Sequence, residues 1–374
     1  MFVQKYNPIT WFAWNSALGG EKVNMIVSWL FTSDNKSFFS YIRTIEKHFW
    51  IKWDELSSFV IVLKNDWNAL IYLNFQFDSF DAYIKSEKNK WEAIFKKDIF
   101  WINGVSLKDI NISENDWIII CFKKNWKYWL YFDFSPLIPN EKYKINIKKL
   151  EEKLGTLYTI LIFDEELDYI NNNEVYNDLV LDWWYPFFEL WDDYKILYNF
   201  YNSWKKILEI QNNLVDKFNK ERLDKIQERW YKNPILKEKE DIIRAWVESF
   251  LYFNKSWYIN CLKNLWTEIE WLLGIYYIWE TWNTNYKINE IVDYIKNKIT
   301  NSEKSNLLTI WFNEKFTDFL IKNVFDFFDI NTWKINISRH TIWHWVALSE
   351  EYTKIRALQY ILVIDQLYYY FIEK

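Results

Sequence analysis

Glycine is scarce in this chain, and its scarcity is matched by an excess of tryptophan. The 374 residues include 5 Gly, 5 Pro, 2 Cys and 3 His, but 26 Trp. Glycine averages about 7% of residues in globular proteins, so a chain with many turns is expected to hold more than this one does. Counting every Trp as Gly would bring the glycine share to roughly 8%, close to that average.

Several Trp stand where glycine is expected. Trp67 and Trp117 each follow Asn-Asp, while Trp126, Trp204 and Trp333 lie in Lys-Asn-Trp-Lys, Asn-Ser-Trp-Lys and Asn-Thr-Trp-Lys. Turns of this composition use a positive φ, which glycine adopts freely and bulky residues adopt at a cost of ~1–2 kcal/mol. We interpret most of the Trp as UGA codons from a lineage that reads UGA as glycine. The alternative interpretation is a protein that is truly rich in Trp.

Three Trp are predicted to be genuine under this interpretation. Trp53, Trp91 and Trp311 lie inside ordinary amphipathic segments, where no turn is indicated. The abundance of Ile, Asn, Lys, Phe and Tyr is typical of an AT-rich genome, and it agrees with an altered genetic code.

Cysteine and net positive charge are also lacking. Cys121 and Cys261 are too far apart for a disulfide framework, so they are predicted to be buried free thiols in a reducing compartment. A net charge of −5 provides no global basic field for nucleic acid, so no DNA partner is expected and any RNA contact must be local.

The sequence also lacks the patterns of targeting and membrane insertion. The first residues do not show the basic-then-apolar order of a signal peptide. The most apolar stretch, residues 357–372, carries Asp365 and is short for a membrane span. We therefore expect a cytoplasmic protein with no membrane partner, and Asp365 is expected to be a polar residue of a helix bundle or of a dimer face.

The first half of the chain predicts a mixed α/β domain over residues 1–180. A helix is predicted at 37–49 and a helical segment at 82–97. Two β-hairpins are predicted from β-branched and aromatic runs that flank short polar turns: 59–63 with 69–75, and 118–122 with 129–134. The segment 154–163 is compatible with either a strand or the end of a helix.

The second half predicts an all-helical bundle over residues 186–374, after a loop-like boundary at 171–186. Apolar residues recur at helical spacing in six segments. These segments are 194–229, 237–253, 258–277, 288–299, 302–328 and 349–373. The predicted fold class is therefore α+β, with an N-terminal α/β domain followed by a helical bundle.

One short block before the last predicted helix carries candidate chemistry. It reads Ile337-Ser-Arg339-His340-Thr-Ile-Trp343-His344-Trp345 and holds two of the 3 His in the chain. Arg339 and His344 are separated by four residues, and with glycine at position 345 the block becomes Ser-Arg-His-x-x-x-His-Gly.

This block resembles the Arg-x(4–6)-His motif of the HEPN superfamily, whose helical bundles carry the motif before or within a late helix. It is most similar to a group of bacterial proteins that end in Asn-Arg-His-x-x-x-His-Gly and a Leu-rich helix. Those proteins also carry an Ile-Glu-Gly segment, and Ile269-Glu270-Trp271 matches it when position 271 is read as glycine. The resemblance covers about residues 190–374, and Ser338 departs from it where those proteins have Asn.

The resemblance implies metal-independent RNA cleavage, with no cofactor and with a homodimer that brings two copies of the motif together. His344 would act as the acid or base on the ribose 2′-hydroxyl or the leaving oxygen, because a His titrates near neutral pH. Arg339 would hold the phosphate as negative charge builds on it. His340 would orient the Arg or the RNA, and Glu270 would provide structural support.

Three alternatives remain open from the residues alone. Arg339 could form an ion pair with Glu270 that only joins two helices, in a non-catalytic scaffold protein. His340 and His344, at i and i+4, could share a helix face and bind zinc. Zinc requires three or four ligands, and the other candidates, His48, Cys121 and Cys261, are distant in sequence.

Overall fold

The computed structural model describes residues 1–6, 12–13, 16–23, 25–85, 87–124, 126–137, 144–171, 173–201, 207–252, 255–301, 312–325 and 352–371. The chain divides into two compact units. The first is Met1–Tyr83 with Trp101–Leu161, and the second is Ile84–Phe100 with Ile162–Lys374. The loop-like boundary predicted at 171–186 lies inside the second of these units, and much of it is a helix, Asn173–Leu181, instead of a loop.

An antiparallel sheet is the centre of the first unit, as the α+β prediction requires. It has six strands in the order β1-β6-β5-β9-β10-β4, and two pairs, β2-β3 and β7-β8, stand apart from it. The strands are β1 (Phe2–Lys5), β2 (Phe12–Ala13), β3 (Met25–Ile26), β4 (Ser28–Thr32), β5 (Ser58–Leu63), β6 (Asn68–Leu73), β7 (Phe80–Ile84), β8 (Ile99–Val105), β9 (Trp117–Lys124) and β10 (Lys127–Asp133).

Both predicted hairpins are confirmed. In the first, Leu63 pairs with Ala69, and in the second, Lys124 pairs with Lys127. Strands β5 and β9 lie side by side, with Ile61 opposite Ile119, so the two hairpins form one continuous sheet. β-Branched and aromatic residues fill these strands because their side chains pack well on a pleated surface.

Helix α1 (Lys36–Phe49) covers one face of the sheet. The side chain of Asn35 caps its first turn by accepting from the Ser37 backbone N–H at 2.9 Å. Its apolar residues pack in one core with alternate residues of the strands. That core includes Phe38 and Ile42 of the helix and Phe59, Ile61, Ile119 and Cys121 of the strands.

Helix α2 (Ile147–Ile162) lies against β8, so the ambiguous segment at 154–163 is helical. A Cβ placed on Gly155 would lie 2.6 Å from the Gly104 backbone nitrogen, which only glycine permits. The Thr159 hydroxyl accepts from the Ile102 N–H at 2.8 Å. These contacts hold α2 close to the strand.

The helical segment predicted at 82–97 is wrong. Strand β7 extends to Ile84, and Lys96–Asp98 forms a single 3-10 turn before β8. Trp91 lies in a turn with φ of 71° and is 93% exposed, so it is not part of an amphipathic helix. The amphipathic pattern failed here because the segment supplies few apolar residues that a core could bury.

The second unit is built of helices. They are α3 (Asp164–Asn171), α4 (Asn173–Leu181), α5 (Trp191–Tyr201), α6 (Ile207–Lys217), α7 (Lys220–Trp230), α8 (Pro234–Lys237), α9 (Glu240–Leu251), α10 (Lys255–Thr281), α11 (Ile288–Asn301), α12 (Glu314–Phe319) and α13 (Lys354–Phe371). A π-helical turn at Leu320–Val324 extends α12.

The single long helix predicted at 194–229 is not continuous, because it breaks between α6 and α7. Phe218 ends one turn through its N–H bond to the Val215 carbonyl at 3.0 Å. Asn219 then begins α7, because its side chain accepts from the Arg222 N–H at 3.0 Å. Apolar residues recur at helical spacing on both sides of this break, so periodicity alone did not reveal it.

Candidate functional site

The three residues of the predicted catalytic block, Arg339, His340 and His344, lie outside the described residues. The fourth residue, Glu270, lies on α10 and is partly exposed. The predicted catalytic pair therefore stays a prediction. The described region nearest in sequence is α13, the helix that was predicted to follow the block.

Helix α13 is enclosed by the rest of the second unit. Every residue from Ala357 to Tyr370 is buried. The helix contacts α10, α9, α6 and α7. The apolar stretch of the sequence is thus a core helix, and its polar residues must find partners inside the protein.

Asp365 of α13 is the charged residue at the centre of this core. It is 1% exposed, and its Oδ1 accepts from the Arg229 guanidinium at 2.6 Å and from the Trp230 indole N–H at 2.8 Å. Burial raises the pKa of the Asp365 carboxyl, and the charge of Arg229 offsets this only in part. Its Oδ2 has no hydrogen-bond partner among the described residues.

Arg229 connects this carboxylate to a second one on the segment that precedes α5. Its guanidinium also donates to Glu189 Oε2 at 3.1 Å. Arg222, two turns earlier on α7, donates to Glu189 Oε1 at 3.3 Å and to the Glu189 carbonyl at 2.8 Å. Burial by itself would raise the pKa of Glu189, but the charges of Arg229, Lys85 and Arg222 outweigh it and lower that pKa.

The network extends outward through Arg222. This residue donates to Asp193 at 3.2 Å, and Lys217 contacts the other oxygen of Asp193 at 2.6 Å. Alternating signs of charge therefore run from the buried Asp365 to the half-exposed Lys217. We call the set Asp365, Arg229, Glu189, Arg222 and Asp193 the buried charge network.

Lys85 contacts the same network from the segment of residues 84–100, which belongs to the second unit. Its ammonium lies 3.3 Å from the Phe188 carbonyl and 4.0 Å from the centre of the Phe188 ring. Burial lowers the pKa of Lys85, while the charge of Glu189 opposes that effect. The Lys85 carbonyl accepts from Arg229 at 3.4 Å, so the backbone of this segment belongs to the network too.

These contacts support structure more directly than catalysis. The acidic groups of the network accept from Arg side chains of α7, and an Arg that holds two carboxylates is not available to grip a phosphate. The prediction of Asp365 as a polar residue of the bundle agrees with its position. Glu189 and Arg229 were not anticipated, because nothing in the linear sequence indicates that they meet.

The surroundings of Glu270 differ from those of its neighbour Glu268. Glu268 is buried, lies 3.5 Å from the Lys239 ammonium, and has a pKa that burial raises. The same ammonium lies 4.6 Å from the Trp271 ring, next in the chain after Glu270. Glu270 itself has contacts, but the partner predicted for it, Arg339, is outside the described residues.

Three of the residues considered for zinc, Cys121, Cys261 and His48, are among the described residues. Cys121 and Cys261 are free and buried, and burial raises the pKa of both thiols. His48 lies on the exposed side of α1, where its Nδ1 is 2.8 Å from the Thr44 carbonyl. In the part of the chain that the structure describes, no three His, Cys, Asp or Glu residues are placed to hold a metal ion.

Comparison of the chain with protein-family models, with curated proteins and with solved structures found no match. Among the described helices, none combines the length and the hydropathy that a membrane span needs.

Proposed function

We propose that the protein is a HEPN-like, metal-independent ribonuclease or RNA-binding protein of the cytoplasm. The observation that carries the proposal is the spacing of Arg339 and His344 just before a core helix of an otherwise helical unit. That order, Arg-x4-His and then a late helix, is the arrangement of the superfamily that the sequence resembles. A role in phage defence or stress would follow from such an activity.

The two residue types suit RNA cleavage without a metal. A His can take the proton from a ribose 2′-hydroxyl, and the resulting oxygen attacks the adjacent phosphorus. The bond from phosphorus to the 5′-oxygen then breaks, and that oxygen is protonated. The products are a 2′,3′-cyclic phosphate and a 5′-hydroxyl. Arg339 would stabilise the charge on phosphorus, since its guanidinium can donate two parallel hydrogen bonds.

A homodimer is part of the proposal. Two copies of the block would meet at a twofold axis, so each site would combine groups from both chains. Sedimentation of the protein with glycine in place of turn residues such as Trp67 and Trp126 is expected to show a dimer at micromolar concentration. A clean monomer would contradict the composite site, although not an RNA-binding role of a single chain.

Cleavage of single-stranded RNA in the presence of EDTA is the direct test. His344→Ala and Arg339→Ala are each expected to reduce the rate by ~10²–10⁴, the usual range for a general acid–base group. His340→Ala is expected to have a smaller effect. Two controls use the same residue types on the exposed side of α1: Arg43→Ala and His48→Ala should cleave like the parent.

The second candidate function is a non-catalytic scaffold that pairs with itself or with a partner. The buried charge network supports it, because the Arg residues described in this unit's interior join helices to one another. Equal activity of the parent, His344→Ala and Arg339→Ala, or no cleavage of any RNA, would favour the scaffold over the nuclease.

A further inference from the structure

The first unit contains a pocket of about 320 Å³ on the sheet face opposite α1. Its floor is formed by Val60 of β5 and by Ile120 and Phe122 of β9. Ser58 and Phe122 are paired across these strands, so the floor is a rigid part of the sheet. A cavity of this volume lies at the lower end of the range for small-ligand sites, about 300–1,000 Å³.

Aromatic rings form the walls of the pocket. Tyr158 of α2 lies 4.8 Å from the Phe80 ring, 6.1 Å from the Phe77 ring and 6.2 Å from the Phe122 ring, measured between centroids. Phe80 is 43% exposed, and Phe77 and Tyr158 are partly exposed. These rings therefore present partly open faces, whereas Phe59 and Tyr128 on the α1 side of the sheet are buried within the core.

Two lysines of strand β9, Lys123 and Lys124, contribute to the pocket lining, but only the Lys124 side chain is on its face of the sheet. Successive side chains of a strand point to opposite faces, so Lys124 shares the face of Ile120 and Phe122. Lys123 points to the other face, where its ammonium lies 5.1 Å from the Tyr128 ring. The described lining of the pocket includes Ser57, Ser58 and Gln76 but no carboxylate.

We propose that this pocket binds one nucleotide unit of single-stranded RNA. A planar base would stack on Phe77, Phe80 and Tyr158, and its phosphate would lie at Lys124. Aromatic platforms beside a lysine bind bases of any sequence, since every base has a π face and every unit carries a phosphate. A purely aliphatic ligand would leave the lysine unused, and a cationic ligand would meet it unfavourably.

The proposal assigns a role to the first unit and does not depend on Arg339 or His344. It is tested by fluorescence anisotropy with a labelled ten-nucleotide RNA, in low salt, on the full chain. AMP serves as the competitor that separates a free nucleotide from a strand. Binding of the RNA, with weaker competition by AMP, is the expected result. AMP binding equal to that of the strand would assign the pocket to free nucleotides and overturn the RNA proposal.

Two variants and one matched control locate the binding. Phe77→Leu keeps an apolar side chain but removes a ring face, and it is expected to weaken binding about tenfold or more. Lys124→Ala is expected to weaken binding and to reduce its salt dependence. Lys47→Ala, on the exposed side of α1 and away from the pocket, removes the same charge and should bind like the parent. Equal affinity of Lys47→Ala and Lys124→Ala, or a parent that binds no RNA, would overturn the proposal.

The His344→Ala variant keeps this test distinct from the nuclease proposal. Binding that persists in His344→Ala, whether or not the parent cleaves RNA, supports the pocket. Cleavage by the parent with unchanged binding in Phe77→Leu supports the nuclease and contradicts the pocket.

Backbone angles carry a second, independent inference. Among the described residues other than glycine, seven have a positive φ, and six of these are Trp. They are Trp50, Trp67, Trp91, Trp126, Trp183 and Trp282, with φ between 53° and 71°. Left-handed backbone is costly for a bulky residue, so this concentration in one residue type is not expected of genuine Trp.

Three of these positions end helices. Trp50 is the left-handed C-cap of α1. The Trp183 N–H bonds the Val180 carbonyl at 2.9 Å and the Trp184 N–H bonds the Leu179 carbonyl at 2.7 Å, which is the Schellman pattern after α4. The Trp282 N–H bonds the Ile278 carbonyl at 2.8 Å, which is the simpler αL ending of α10. Glycine is the usual residue at such positions.

The two hairpin turns also place Trp at a position of positive φ. The Trp67 N–H bonds the Lys64 carbonyl at 3.1 Å, and the Lys64 N–H bonds the Asn68 carbonyl at 2.8 Å. This is a type I turn followed by one left-handed residue, a loop in which glycine takes the last place. Trp126, in the turn between β9 and β10, is 90% exposed with φ of 68°. Trp204 and Trp333, predicted alongside them, lie outside the described residues.

We infer that the native residue is glycine at these six positions, and that Trp191 and Trp230 are genuine. Trp91 thus reverses the prediction from its amphipathic segment, which counted it as a genuine Trp. The Trp191 indole N–H donates to the Pro186 carbonyl at 2.7 Å, and that of Trp230 donates to Asp365 at 2.8 Å, contacts that glycine could not make. Peptide mass spectrometry of the protein from its native host should read glycine at the six and tryptophan at the two. Tryptophan at the six would overturn the inference.

Two substitutions in one helix test the same inference in a recombinant protein. Trp282→Gly, at the left-handed end of α10, should raise the melting temperature by several degrees. Trp279→Gly, three residues earlier within α10 and also exposed, should lower it, since glycine weakens a helix interior. A lower melting temperature in both variants would contradict the glycine assignment at 282.

Discussion

The guanidinium of Arg229 and the carboxylate of Asp365 lie 2.6 Å apart in the core of the helical unit, although 136 positions separate them in the chain. Removing one member of a buried pair leaves the other without compensation, which typically costs ~3–5 kcal/mol. We expect Asp365→Leu or Arg229→Met alone to lower the free energy of unfolding by about that amount, as measured by urea denaturation.

The double variant and an exposed pair complete this test. Arg229→Met with Asp365→Leu removes both charges and should recover much of the loss. Lys225→Ala breaks the exposed pair with Glu221 at 2.8 Å and should change stability little. Additive losses in the double variant would contradict the direct pairing.

Gly155 is expected to tolerate no side chain. Gly155→Ala would place a Cβ 2.6 Å from the Gly104 nitrogen and 2.7 Å from the Ile102 carbonyl oxygen, so helix α2 would have to move away from β8. Overpacking of this kind typically costs ~1–3 kcal/mol. The control is Gly19→Ala, where no heavy atom lies within 4 Å of the added Cβ. Similar melting temperatures for the two variants would show that the close approach is wrong.

Glu268 is expected to make stability depend on pH. Burial raises its pKa, so the folded chain holds this proton more tightly than the unfolded chain. The stabilisation from the protonated form is fully present below the unfolded-state pKa, about 4.3, and is lost as pH rises through the folded-state pKa. Glu268→Gln should therefore gain in melting temperature relative to the parent as the pH is raised from about 4 to about 7.

The control is Glu221, for which stability is expected to change with pH in the opposite direction. The side-chain hydrogen bond and the charge of Lys225 lower the pKa of the exposed Glu221, so that pair contributes stability above the unfolded-state pKa and loses it as pH falls. The melting temperature of Glu221→Gln should fall, not rise, relative to that of the parent as the pH is raised. A change of the same sign in both variants would point to a global charge effect instead.

The segment of residues 84–100 is expected to stabilise the helices of the second unit. The Phe100 ring lies 4.1 Å from the Tyr369 ring and 5.1 Å from the Phe188 ring, all within the second unit. A fragment of residues 162–374 should therefore melt at a lower temperature than the intact chain. Adding a peptide of residues 84–100 should raise that temperature, and a peptide with Phe100→Ala should not.

Limited proteolysis tests the boundary that the sequence predicts at 171–186. A stable helical fragment released by a cut in that range, with unchanged melting after the cut, would support a separable domain. Loss of folded helix after such a cut would show that the cut lies inside a folded unit. That result would agree with a unit boundary between Leu161 and Ile162.

The local signals of the sequence were sufficient for much of this protein. Alternation of apolar residues around Asn65-Asp66-Trp67 and Lys124-Asn125-Trp126-Lys127 predicted both hairpins, because strand pairing and turn geometry depend on neighbours in the chain. The Asn- or Asp-preceded Trp predicted positive φ, and Trp67 and Trp126 have it. For Trp117 the prediction is wrong, because this residue begins strand β9 and is buried. The Arg339–His344 spacing likewise came from the sequence, and its function remains a proposal.

Only the tertiary structure decided which distant residues meet. The pairing of Arg229 with Asp365, the closeness of Gly155 to Gly104 and the ring-lined pocket at Tyr158 each join segments far apart in the chain. The segment 82–97 shows that local periodicity alone does not make a helix, since Trp91, Ile94 and Phe95 are exposed and no core stabilises the pattern. Local propensity is worth a fraction of a kcal/mol per residue, while burial of a whole side chain is worth about 1.5–3 kcal/mol, so packing overrides it where the two disagree.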